Sequence, residues 1–179
     1  MSKLTTAGAI LGLVLMAGSA FGQAQGMTLQ EALNTAKGQL GGAAEGQGGA
    51  ANGLLILGRP ELKNKVGLFG FYFYMDGKLY EIEVKGPGPK GDVEIAHITD
   101  PNPNNVKEDT VKNILEAVRK YAGAKLPMSR YLEIAKQAAG GDPTAVQLVS
   151  KDGKLVMNVT VGGQVVSIDL ATGKLLGKG

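Results

Sequence analysis

Residues 66–85 read VGLFGFYFYM, then DG, then KLYEIEVK, two strand-like runs around a tight turn. The first run is β-branched and aromatic, the composition of a strand. Asp76-Gly77 is the two-residue signal of a hairpin turn with positive φ at both positions. The second run alternates, with Tyr80, Ile82 and Val84 on one face and Glu81 and Glu83 on the other. An antiparallel hairpin with one buried face follows. The chain has nine aromatic residues, and five of them (Phe69, Phe71, Tyr72, Phe73, Tyr74) fall in this one strand. Alternation sends Phe71 and Phe73 to one face and Tyr72 and Tyr74 to the other. One face must cover a helix. The other is either packed by another part of the chain or presented to a partner.

Outward from the hairpin the same punctuation recurs. Thr28-Leu-Gln-Glu31 is a capping box, and Leu29, Leu33 and Ala36 follow at helical spacing to about Gly38. Residues 38–53 hold seven glycines in sixteen, which reads as a flexible loop. No Gly-Lys-Ser/Thr follows, so it is not a phosphate cradle. Residues 54–57 (LLIL) read as a short strand and 92–99 as another, ended by Asp100-Pro101. Asn105 with Glu108 repeats the capping pattern ahead of Val111, Ile114, Leu115, Val118 and Tyr121. Ser129 can cap a further helix carrying Leu132, Ile134, Ala135 and Ala138, stopped by Gly140-Gly141. Strands then fall at about 144–150, 154–161 and 164–170, turning at Asp152-Gly153 and Gly162-Gly163.

The order helix, strand, Asp-Gly-Lys-Leu, strand, turn, strand occurs twice, with Asp76–Leu79 matching Asp152–Leu155. In this alignment His97 stands opposite Asp169 and Pro101 opposite Gly173. The phase slips by one residue after the shared turn, which a bulge or divergence must absorb. The expected fold is α+β. It has two repeats, each a helix on a small antiparallel sheet of three to four strands, joined by an extra helix. The expected divisions are a signal peptide at 1–22, a first unit at 23–102 with its glycine-rich loop at 38–53, a connecting helix at 103–126, and a second unit at 127–179.

Composition bounds the function. Of 179 residues 44% are hydrophobic and 20% charged, enough apolar surface to bury a core. Residues 1–22 carry Lys3, an apolar run from Ala7 to Ala17, and small Ala20 and Gly22 before Gln23, the pattern of a secretory signal peptide. Its removal takes only Lys3 and lowers the net charge from +3 to +2. Lys and Arg are scattered among Asp and Glu, so no nucleic-acid partner is expected. No later run is long and apolar enough for an integral membrane segment. The expected location is exported, periplasmic or extracellular. Cysteine is absent, which excludes disulfides, thiolate metal sites and Cys nucleophiles. With a single histidine, His97, one chain cannot build a multi-His zinc site.

A capped helix, three antiparallel strands with Tyr80-Glu-Ile-Glu-Val84, and an ending Ile168-Asp169-x-x-Thr172-Gly173-Lys174-Leu175 resemble the PepSY domain. The two copies would cover most of residues 27–102 and 128–179. The resemblance implies a non-catalytic role: inhibiting or chaperoning a peptidase, or binding another envelope protein. It implies no catalytic residue and no cofactor or metal. Residues 165–176 also look like a blade of a quinoprotein-type β-propeller, but one blade among helices does not make a propeller.

Among candidate residues, His97 with carboxylates marks the alternative of a small secreted hydrolase, and a metal role for it would need partners such as Asp100 or Asp92. Glu81 and Glu83 share a strand face, as paired carboxylates or as a solvated edge. A passive structural protein of the envelope is a further reading. Tyr72 and Tyr74 are the expected partner-binding residues, because a phenol tolerates one wet end.

Overall fold

The computed structural model describes residues 26–40, 53–75, 77–86, 94–99, 108–120 and 126–179. The signal-peptide segment and most of the glycine-rich loop lie outside the described residues, as do Asp76, Asp92, Asp100 and Asn105. The fold is α+β. Its elements in chain order are α1 (Leu29–Gln39), β1 (Leu54–Lys63), β2 (Val66–Met75), β3 (Lys78–Lys85), β4 (Glu94–Thr99), α2 (Asp109–Arg119), α3 (Met128–Ala139), β5 (Pro143–Lys151), β6 (Lys154–Val161), β7 (Gln164–Asp169) and β8 (Leu175–Lys178).

All eight described strands form one antiparallel sheet in the order β4-β3-β2-β1-β5-β6-β7-β8. Two small separate sheets were expected. Instead β1 pairs with β5 at the centre, and the chain works outward from that pair in both directions. The join is made by Leu57 opposite Gln147 and Gly58 opposite Val146. Gly58 is required there. A Cβ at this position would sit 2.8 Å from the Phe71 ring and 3.2 Å from Val146.

Register divides the sheet into two faces. Phe71, opposite Gly58 on β1 and Ile82 on β3, is fully buried, as is Phe73. The same face continues through Val146 and Leu148 to Met157 and Val159, then Val166 and Ile168, all at 1% exposure or less. Helices α1 and α3 supply its cover: Leu29, Ala32, Leu33 and Ala36 from one, Met128, Tyr131, Leu132 and Ala135 from the other. A continuous core spanning both halves results. Helix α2 touches β1 and β5 and is tied through Glu108 to Arg59, a residue of the opposite face.

The local reasons are visible. The Thr28 hydroxyl accepts from the Glu31 amide, and the Glu31 carboxylate accepts from the Thr28 amide, closing the expected capping box. Two other expected caps are displaced. Helix α2 begins at Asp109 with Glu108 at the cap position, and that carboxylate is committed to Arg59 instead of the helix amides. Helix α3 begins after Pro127, whose fixed φ of −62° presets the path of the chain into the helix, so Ser129 lies inside the first turn. Helix α1 runs through Gly38 to Gln39, one residue past the expected stop.

Strand β1 runs to Lys63, past the expected end at 57. Pro60 sits within it because the β1–β5 pairing stops at Gly58, so that side of β1 needs no donor. Strand β8 was not expected. Its residues are all exposed, and no alternation marks it in the sequence.

Candidate functional site

The expected partner-binding residues, Tyr72 and Tyr74, lie on the face opposite the main core. They follow from the alternation that buries Phe71 and Phe73. Both are half-buried and pack their rings against the core. Among the described residues, strands β5–β8 extend the sheet sideways and do not form a second layer over them.

The Tyr72 hydroxyl donates to the Glu81 carboxylate across the β2–β3 ladder at 2.8 Å. Burial, then the Glu81 hydrogen bond and the charges of Glu81, Glu61 and Glu108, hold this phenol well above its ordinary range. It therefore stays protonated at neutral pH and donates to Glu81.

Around it runs a strip of paired charges. Arg59 donates to Glu61 at 3.1 Å and to Glu108 at 2.7 Å. Gly70 makes room for this: a Cβ there would meet the Glu61 carboxylate at 2.7 Å. Glu83, only 4% exposed, receives the Lys63 ammonium at 2.5 Å. That hydrogen bond raises the pKa of Lys63 and keeps it charged. Sequence reasoning put Glu81 and Glu83 on one face, and the ladder agrees. Glu81 accepts from a tyrosine and Glu83 from a lysine. Arg59, Lys63 and Glu61 were missed because β1 was expected to end at 57. Their signal was the alternation after Leu57, interrupted to the eye by Pro60.

His97 is placed on β4, its backbone opposite Glu83. Its side chain lies outside the described residues. Among the described residues, no group of His, Asp or Glu has the arrangement of a metal site.

The ending Ile168–Leu175 has a structural explanation. The Asp169 carboxylate accepts from the Thr172 amide and hydroxyl, both at 2.8 Å, and the Gly173 amide donates to the Asp169 carbonyl. These Thr172 bonds hold the Asp169 carboxyl below its usual range. Gly173 takes φ +71° with Leu126 packed where a Cβ would stand. The Tyr131 hydroxyl donates to the Leu170 carbonyl at 2.6 Å, so the turn is locked to α3. The motif turns the chain from β7 into β8.

No family model matches the chain, and no curated protein matches it. A solved structure described as a “putative lipoprotein” from Clostridium difficile 630 aligns with 90% of this chain and 98% of its own. The identity is 12% and the TM-score 0.41, values that establish neither a shared fold nor a shared function. No helix among the described residues is long and apolar enough to cross a membrane.

Proposed function

We propose that this chain is an exported, non-enzymatic binding protein made of two PepSY-like units, and that its tyrosine strip receives a protein partner. A peptidase of the cell envelope is the partner class that the resemblance implies. The carrying observation is Tyr72: an aromatic half in the core, its hydroxyl fixed by Glu81, within a rim of satisfied ion pairs. An ordered aromatic with a wet edge and a polar surround has the anatomy of a binding surface. Its neighbours Glu81 and Glu83 are engaged in holding structure, which favours binding over hydrolysis.

Several features support the two-unit reading. The order helix and four strands occurs on each side of α2. The buried residues of α1 and α3 share one spacing, Leu29-x-x-Ala32-Leu33-x-x-Ala36 against Met128-x-x-Tyr131-Leu132-x-x-Ala135. Chain order pairs β2 with β6 and β3 with β7. Counted from the preceding turn, the core-facing positions of β2 and β6 are then the fourth, sixth and eighth. Those of β3 and β7 are the third and fifth. The one-residue slip disappears. It arose because Gly77 turns β2 into β3 whereas Asp152-Gly153 turns β5 into β6, so the two Asp-Gly-Lys-Leu stretches belong to different hairpins.

The test titrates the mature chain into a secreted metallopeptidase of the thermolysin type from the same envelope. Tyr72→Ala with Tyr74→Ala should weaken inhibition at least tenfold, about 1.4 kcal/mol. The double Phe variant, which keeps the rings, should stay close to wild type. Circular dichroism separates lost binding from lost fold. Absence of inhibition, or inhibition indifferent to the double Ala variant, overturns the reading, and hydrolysis of substrate by the chain itself would return attention to His97.

A further inference from the structure

The two halves meet through a narrow ladder. Strand β1 pairs with β5 at two positions, whereas β1 meets β2 at nine and β5 meets β6 at eight. Each half is thus internally well bonded, and the central line between them has the shortest ladder in the sheet. The packing at that line leaves no slack, because Gly58 admits the Phe71 ring only by lacking a side chain.

Two helices cross the line, one on each face. Helix α1 reaches from its own strands across to β5 on the core face, and α2 touches both β1 and β5 on the other. Helix α2 contributes Val111, Ile114, Leu115 and Val118 to this cover. Among the described residues its one hydrogen-bonded link to the sheet is the ion pair from Arg59 to Glu108. Arg59 directly follows Gly58, so this link sits beside the last paired position of the line. It is also placed at the N-cap of α2, where the chain enters the helix.

We propose that the β1–β5 line is a hinge between two rigid half-sheets, and that the Arg59–Glu108 ion pair is the clasp that limits its opening on the α2 face. With the core face held by α1, bending parts the sheet on the side that carries α2, Tyr72 and the charged strip. The inference concerns motion within the chain and does not depend on which partner, if any, binds.

Hydrogen exchange on the full mature chain, read by mass spectrometry, tests it. In Arg59→Ala, peptides covering residues 57–58, 146–147 and α2 should exchange about fivefold faster, the ratio that roughly 1 kcal/mol of a half-exposed ion pair gives. Peptides of the β2–β3 and β6–β7 ladders should stay within about twofold of wild type. Glu108→Gln, which keeps a hydrogen-bonding oxygen without the charge, should give a smaller rise in the same peptides. A cross-linking control uses the lack of native cysteine. Leu57→Cys with Gln147→Cys places thiols at facing positions, within disulfide reach. Oxidising that pair in the Arg59→Ala background should remove the excess exchange at 57–58 and 146–147. Acceleration spread evenly over every strand would mean lost global stability and would overturn the hinge. So would no acceleration, or acceleration that survives the cross-link.

Discussion

Lys65 holds φ at +65° beside Asn64 at +52° in the turn from β1 to β2. This primed geometry matches the twist of a hairpin, and Asn tolerates it, but a lysine does not favour it. Lys65→Gly should therefore raise stability by about 1 kcal/mol, measured as a higher urea midpoint with an unchanged slope. The corresponding turn between β5 and β6 already has glycine in that place, with Asp152 at φ +52° and Gly153 at +75°. Asp169 offers a second residue-scale test. Its carboxyl lies below its ordinary range because Thr172 donates to it twice. A depressed acid contributes stability above its unfolded pKa, about 4, and that contribution is lost as pH falls through the folded value. Chemical denaturation from pH 6 down to pH 2 should show the wild type losing more stability than Asp169→Asn, whose amide oxygen still accepts from Thr172 at every pH. Equal acid sensitivity in both would refute the assignment.

At the scale of elements, the helices are held in different ways. The Thr28–Glu31 box caps α1, and Thr28→Ala should cost about 1 kcal/mol. Tyr131 ties α3 to the end of β7. Tyr131→Phe keeps the packing but orphans the buried Leu170 carbonyl, so it should cost about 1–3 kcal/mol in equilibrium unfolding. A cost near zero would show that another donor takes its place. What the sequence made legible follows the same physics. Strands β2, β3 and β6 were readable to the residue, because each strand-forming run gives way to a glycine-bearing stretch, at Gly77, Gly86 and Gly162. Strand β1 was cut short because Pro60 looks like a terminator when the missing neighbour on that side is unknown. Strand β8 carries no alternation, since none of its side chains is buried. The cap at Ser129 gave way to Pro127, a competition between two good starting residues two positions apart. Tyr72 and Tyr74 were legible as a face but their surroundings were not, because Arg59, Glu61 and Glu108 come from segments far apart in the chain.

At the scale of the whole molecule, the decisive event is the pairing of Gly58 with Val146. No local signal announces it: it depends on a glycine that follows the apolar run of β1 and on a ring that comes from the next strand. Through it, two stretches each too small for a secure core share one face of aromatic and aliphatic side chains. Leu55, Phe71 and Ile82 from one half are then continuous with Leu148, Met157 and Ile168 from the other. Cooperative unfolding is the direct consequence, even with a central line that bends. Differential scanning calorimetry of the mature chain tests this most directly. One transition is predicted, with the calorimetric enthalpy equal to the van't Hoff enthalpy. Two resolved transitions, or a calorimetric enthalpy well above the van't Hoff value, would contradict a single shared core and leave two domains that merely touch.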